Sequence, residues 1–241
     1  MGHGFMIQAQ QAMDSQAHIG FQISGELFER VHLLIQRIQQ QPHNRELSRE
    51  AADAVSALLH KGIQTFYFDV VEGVRTHPAT RKSADTGIIT VTKGADLVIR
   101  KMANNLEPHE LQLFAQYLGQ MLFEQGGQFF LAFPLDHDSH GKLEQVIQRI
   151  RSDANTDAYN HLIVDALCQL ADLAVQHFYH RPTKLIKIRL FVKKSADLGV
   201  RTVQKGIHFV IRLMFRKTRQ RELIQFSTYL QNQLVYLPVS H

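Results

Sequence analysis

The chain repeats itself at an interval of 112 residues, and this repeat limits the possible folds more than any other feature. The segment "KSADTGIITVTKG", which begins at Lys82, returns as "KSADLGVRTVQKG", which begins at Lys194. The match continues without a gap, and residues 28–123 and 140–235 share 29 identical positions in 96. Unrelated segments of ordinary composition would share roughly one position in sixteen. A period this long indicates duplication of a domain-sized unit rather than a short solenoid repeat.

Each copy places apolar residues at helical spacing over four segments. In the first copy, Leu27 and Val31 begin the apolar side of the first helix, which ends before Pro42. A second, longer helix follows, the third helix runs to about Asn105, and the fourth begins near Pro108. We therefore predict an all-α fold, in which a tandemly duplicated four-helix unit packs as a helical bundle with approximate two-fold symmetry.

The composition of the segments between the helices predicts the division of the chain. Gly126 and Gly127, with the polar run that follows the next apolar residues, indicate a connector between the copies. Apolar and cationic residues alternate over 184–192, which fits a helix, a strand or an extended loop. The predicted parts are an N-terminal extension (1–25), a first four-helix repeat (26–124), a connector (125–139) and a second four-helix repeat (140–241).

The repeated segment keeps two glycines seven residues apart in each copy. They are Gly87 and Gly94 in the first copy and Gly199 and Gly206 in the second. A glycine inside a helix costs about 1 kcal/mol relative to alanine, so keeping two requires a compensating gain. We expect that gain to be close packing against another helix; room for a ligand is the alternative. Ser83 is predicted to cap the start of this helix.

The positive charge of the chain is concentrated in the second copy. Residues 181–221 contain thirteen lysines and arginines and one acid, whereas the matching residues 69–109 contain six and five. On a helix of 3.6 residues per turn, the cations of the second copy's third helix fall on one side. We predict a polyanion-binding face there, formed by Arg201, Lys205, Arg212 and Arg216 with Lys193 and Lys194.

The predicted partner of this face is an acidic protein or a nucleic acid, bound without base recognition because no nucleic-acid-binding motif is found. The less favoured alternative is contact with an anionic membrane surface through residues 183–194, which mix bulky apolar residues with cations. A face that is simply solvated, or paired with acids of the first copy, remains the alternative.

A second candidate site consists of polar residues that both copies keep. They are Asp53 and Gln64 in the first copy and Asp165 and Gln176 in the second. These side chains would line a groove between the repeats that holds a small ligand. His177, three residues before His180, would need acids from elsewhere to bind a metal, and we predict neither a metal nor a cofactor.

No catalytic motif is recognised, since the chain has no Gly-x-Ser-x-Gly, His-Glu-x-x-His or dinucleotide-binding pattern. The one cysteine, Cys168, cannot form an internal disulfide, which predicts a reducing compartment and, with no recognisable signal segment, the cytoplasm. We expect a non-catalytic binding or interaction module. The alternative is a small-ligand-binding protein or an enzyme with its site between the two repeats.

Overall fold

The computed structural model describes residues 15–73, 78–152, 160–185, 190–215, 218 and 220–238. The first half of the chain comprises β1 (Ser15–Ile23), α1 (Gly25–Gln40), α2 (Arg45–Ile63), a π-helical turn (Gln64–Phe68), α3 (Asp69–Gly73), α4 (Pro78–Ala103), α5 (Pro108–Gly119) and β2 (Leu122–Gln125). The second half comprises β3 (Gln128–Pro134), α6 (His137–Ser152), α7 (Asn160–Val175), a second π-helical turn (Gln176–His180), α8 (Arg181–Leu185), α9 (Leu190–Phe215), α10 (Gln220–Asn232) and β4 (Leu234–Pro238).

The fold is mostly helical but also contains a small four-stranded sheet, so the prediction of an all-α class is wrong in this respect. β1 lies in the predicted extension 1–25, and β3 lies in the predicted connector 125–139. β1 alternates in the manner of a strand packed against a core, since Ile19, Phe21 and Ile23 are buried while Gln22 between the last two is exposed.

The sheet joins the first and the last of the described elements. Its strand order is β2-β3-β1-β4, and every neighbouring pair is antiparallel. β2 and β3 form a hairpin whose turn residues, Gly126 and Gly127, have φ of 60° and 74°, the region that favours glycine. β4, the last described strand, pairs with β1, the first described strand, with Gln16 opposite Leu237.

The elements of the first half recur in the second half at the interval of the sequence repeat. α1 begins at Gly25 and α6 begins at His137, and α4 and α9 cover Pro78–Ala103 and Leu190–Phe215. The two π-helical turns also lie 112 residues apart. β1 and β3, which share few identical residues, follow nearly the same spacing.

α4 and α9 pack closely against each other along the repeated glycines. A Cβ atom built on Gly199 would lie 2.6 Å from Cγ2 of Val98, and one on Gly206 would lie 2.6 Å from Cγ2 of Val91. The corresponding distances in α4 are 2.9 Å from Gly87 to Val210 and 3.3 Å from Gly94 to Val203. The predicted role of the glycines in helix packing is thus confirmed for all four residues.

Ser83 does not cap a helix, because α4 begins five residues earlier, at Pro78. Asp85, two residues on, instead accepts a hydrogen bond from the hydroxyl of Tyr67 at 2.7 Å. The matching residues Tyr179 and Asp197 form the same bond at the same distance.

A histidine–aspartate contact also recurs, with the two partners exchanged. Nε2 of His60 in α2 lies 2.9 Å from the carboxylate of Asp96 in α4. At the matching positions, the carboxylate of Asp172 in α7 lies 2.7 Å from Nε2 of His208 in α9. The same pair of helix positions is therefore bridged in both halves.

The segment 184–192 lies only partly within the described residues. α8 ends at Leu185 and α9 begins at Leu190, and residues 186–189 lie outside the described part. The prediction of helix, strand or loop for them therefore stays a prediction.

Among the described helices, none has the length and apolar character needed to cross a membrane.

Candidate functional site

An apolar cavity of about 390 Å³ lies between the packed elements of the fold and is partly open to the surface. Both halves of the chain line it, and the lining includes Ile19 and Phe21 of β1 and Leu131 and Phe133 of β3. The contacting helices α4 and α9 contribute to it as well, for example through Val203. The cavity is therefore formed between the two halves rather than within either.

The chemistry of the lining is almost uniform. Among the described residues that form it, none is charged, and the polar side chains are the hydroxyls of Tyr67, Tyr117 and Tyr179. The hydroxyls of Tyr67 and Tyr179 are bound to the carboxylates of Asp85 and Asp197. The third hydroxyl, that of Tyr117, lies near His177 and Arg181, so the cavity offers an occupant mainly apolar contacts.

The two π-helical turns bring the cavity wall to the surface. Phe66 and Phe178 are 41% and 37% exposed, whereas the other described lining residues are buried or half-buried. Each ring makes an edge-on contact with a buried ring of the sheet, Phe66 with Phe21 and Phe178 with Phe133. π-helical turns occur frequently at functional sites, and here each one places an aromatic side chain at the cavity edge.

The two halves differ in the contact that the tyrosine of the fourth helix makes, α5 in the first half and α10 in the second. The hydroxyl of Tyr117, a lining residue, lies 3.5 Å from Nδ1 of the buried His177. At the matching positions the hydroxyl of Tyr229 donates to the main-chain oxygen of Thr65 at 2.7 Å. The ring of His177 therefore lies beside a lining residue of the cavity, whereas the matching residue in the first half is Thr65.

Burial shifts the pKa values of both His177 and Tyr117. It lowers the pKa of His177 to about 4, and the nearby positive charge of Arg181 acts in the same direction. Burial also raises the pKa of Tyr117, which Arg181 opposes. At neutral pH both side chains are uncharged and can take part in hydrogen bonds, while the guanidinium of Arg181 places a positive charge near both of them.

The four polar residues predicted to line a groove do not line the cavity. Asp53 lies 3.1 Å from the guanidinium of Arg100, and Gln64 donates to a carboxylate oxygen of Asp69 at 2.7 Å. Asp165 is exposed and Gln176 is half-buried. The residues that line the cavity were missed because they form apolar helix faces, which in a sequence cannot be distinguished from an ordinary core.

The predicted polyanion-binding residues lie mostly at the surface of α9. Lys194, Arg201, Lys205 and Arg212 are exposed, and we refer to these four residues as the cationic surface. Lys193 is half-buried and forms an ion pair with Asp197 at 3.1 Å. Arg216 lies outside the described residues.

The histidines and the cysteine form no metal-binding cluster within the described part of the chain. His177 is packed against the ring of Phe133, with which it stacks at a centroid distance of 4.8 Å. Cys168 is buried, and burial raises the pKa of its thiol above the usual value. A thiol of this kind has little thiolate character at neutral pH.

No protein-family model matches the chain, and neither a curated protein nor a solved structure shows significant similarity to it.

Proposed function

We propose that the protein binds a small apolar molecule in the cavity between its two halves. The observation that carries this proposal is the composition of the lining. The cavity has a volume of about 390 Å³, and the described residues of its wall include no charged side chain. Cavities that hold small ligands commonly begin at about 300 Å³ and are mostly apolar.

The chemistry of the wall favours an apolar occupant. An apolar ligand would gain dispersion contacts with the many apolar side chains of the lining. An ordered water needs two or more polar partners, and the polar side chains of the described lining are three tyrosines.

Binding rather than catalysis is proposed because the described lining contains no acid, base or nucleophile other than three tyrosines. Tyr117, beside His177, is the lining hydroxyl best placed to orient a polar end of the ligand. The ligand class that fits is a molecule with an extended apolar body and at most one polar end.

The test combines ligand identification with a variant that fills the cavity. Organic extracts of the purified protein are analysed by mass spectrometry, and binding of the dye anilinonaphthalene sulfonate is measured by fluorescence. The double variant Ala95→Phe/Ala171→Phe places one ring from each half into the cavity and is expected to abolish binding. Leu33→Phe, at an exposed position outside the lining, is the control and should bind as the parent protein does. Unchanged binding by the filled variant would refute the proposal.

The second candidate function is binding of an anionic partner by the cationic surface. Its support is that Lys194, Arg201 and Lys205 are exposed and form no ion pair with the described residues. The partners predicted from the sequence are an acidic protein, a nucleic acid or an anionic membrane. Elution from heparin at a lower salt concentration is expected for the variant Arg201→Glu/Lys205→Glu, and equal elution would exclude this candidate.

The proposed origin of the fold is a tandem duplication of one unit, with the two copies related by an approximate two-fold axis. The recurrence of elements at 112 residues supports it, as do the reciprocal contacts of Gly87 with Val210 and of Gly199 with Val98. The reducing compartment predicted from Cys168 stays a prediction.

A further inference from the structure

The outward positions of α4 and α9 combine cations with bulky apolar side chains. The same seven positions of the repeat are exposed in both helices, and among these described residues there is no acid. The apolar members are strongly exposed, Leu97 to 68% and Leu198 to 69%. We name this set the outer surface; it consists of Lys82, Thr86, Ile89, Thr90, Lys93, Leu97 and Arg100 on α4 and Lys194, Leu198, Arg201, Thr202, Lys205, Phe209 and Arg212 on α9.

The acids of these two helices are directed to partners within the protein. Asp85 and Asp197 accept hydrogen bonds from tyrosine hydroxyls, and Asp96 contacts His60. Arg100 of the outer surface is paired with Asp53, whereas no described acid pairs with Arg201. The outer surface is therefore positively charged without internal compensation over most of its length.

The exposed apolar residues decide which anionic partner fits. Phosphates of a nucleic acid would neutralise the cations but would leave Leu97, Leu198 and Phe209 without contacts. A second copy of this chain would bury those residues but would bring cations of like sign together. An anionic bilayer satisfies both groups, because its headgroups attract lysine and arginine while apolar side chains enter the boundary below them.

We propose that the outer surface of α4 and α9 docks on an anionic lipid bilayer. The proposal rests on the second candidate function and assigns its partner: Arg201 and Lys205 contact the headgroups, while Leu198 and Phe209 enter the interface. The apolar cavity is lined by the inner sides of the same two helices, including Val91 of α4.

The experiment is co-sedimentation of the full chain with vesicles of phosphatidylcholine and phosphatidylserine (7:3), compared with vesicles of phosphatidylcholine alone. One variant removes charge (Arg201→Glu/Lys205→Glu), and another removes apolar surface (Leu198→Gln/Phe209→Gln). Each is expected to lower the affinity for the anionic vesicles at least tenfold. The matched control, Arg45→Glu/Arg149→Glu, reverses two exposed cations on α2 and α6 and should change the affinity less than threefold.

A DNA duplex, heparin and sedimentation velocity provide the arms that separate the alternatives. Circular dichroism melts verify that every variant is folded, which is expected because all the substituted residues are exposed. Binding to DNA or heparin but not to vesicles would overturn the bilayer proposal while supporting the second candidate function. A protein that binds neither vesicles nor DNA nor heparin would overturn both the bilayer proposal and the second candidate function. Vesicle binding unchanged in both variants, or a dimer that the variant Leu198→Gln/Phe209→Gln dissociates, would also overturn the bilayer proposal.

Discussion

The packing of α4 against α9 predicts that the effect of a glycine-to-alanine substitution depends on the distance to the facing valine. In Gly199→Ala the new Cβ would lie 2.6 Å from Cγ2 of Val98, about 1 Å closer than carbon atoms approach at their optimum. Valine cannot turn aside easily, because branching at Cβ restricts its χ1 rotamer. The helices must therefore separate slightly or the side chain must leave its rotamer.

The magnitude follows from two opposing effects. Overpacking in a close-packed interior costs typically about 1–3 kcal/mol, whereas replacing glycine by alanine within a helix gains about 1 kcal/mol. Gly199→Ala and Gly206→Ala should thus lower the free energy of unfolding by about 0–2 kcal/mol. Gly94→Ala, at 3.3 Å, should lie close to neutral. Gly141→Ala in α6, where a Cβ would meet nothing within 4 Å, should be stabilising by about 1 kcal/mol.

Urea unfolding followed by circular dichroism measures the series, with Gly141→Ala as the control for helix propensity. A double variant, Gly199→Ala/Val98→Ala, removes the opposing methyl groups and should show a favourable coupling between the two sites. If all four single variants were equally stabilised, the glycines would have no role in the contact between α4 and α9. The reasoning from distance would then be refuted.

Three further predictions concern the polar contacts and the hairpin. The pKa of His177 is lowered to about 4 in the folded protein. As the pH falls, the unfolded chain therefore protonates this histidine at a higher pH than the folded protein does. Stability should therefore fall between about pH 6.5 and 4, by about 3 kcal/mol from this group, and His177→Gln should flatten that slope in urea unfolding at several pH values. Tyr179→Phe removes a hydrogen bond to a carboxylate and should lower the free energy of unfolding by about 1.5–3 kcal/mol, measured in the same assay. Gly127→Ala, at a φ of 74°, should cost about 1–2 kcal/mol by thermal melting.

The helices could be predicted from the sequence because their signals are local. Apolar residues recur at helical spacing, and the repeated glycines identify α4 and α9 as closely packed elements. The exchanged pairs His60–Asp96 and Asp172–His208 could also have been found from the alignment of the two copies, since oppositely placed residue types at matching positions imply a shared contact.

The strands were missed although part of their signal is local. Ile19, Phe21 and Ile23 alternate with polar residues or glycine, and Gly126-Gly127 between two apolar segments is typical of a hairpin. The connector interpretation treated these glycines as a boundary. The pairing of β1 with β4 has no local signal, because it joins residues more than 200 positions apart.

The candidate cavity could not be predicted, because a void is defined by the space that side chains leave unfilled after packing. Ala95 and Ala171, which line it, match Ile207 and Leu59 in the other copy. In the sequence such a difference is an ordinary exchange of apolar residues. The outer surface was predicted in part, since the cations were identified but the exposure of Leu198 among them was not.

The sheet also predicts that the chain can be opened at the hairpin and closed at its ends. Gln125 pairs with Gln128 across Gly126-Gly127, and at the matching positions Leu237 pairs with Gln16. The permuted chain would run from Gln128 to Leu237 and then, through two added glycines, from Gln16 to Gln125. The connection between β2 and β3 would be cut, and a new two-glycine turn would connect β4 to β1. If the halves are related as proposed, the permuted chain should unfold cooperatively with the circular dichroism spectrum of the parent. A permutant opened in the middle of α4 is the control and should not fold. Failure of both chains would mean that the turn between β2 and β3 has no equivalent between β4 and β1, and that the likeness of the halves does not extend to how they are joined.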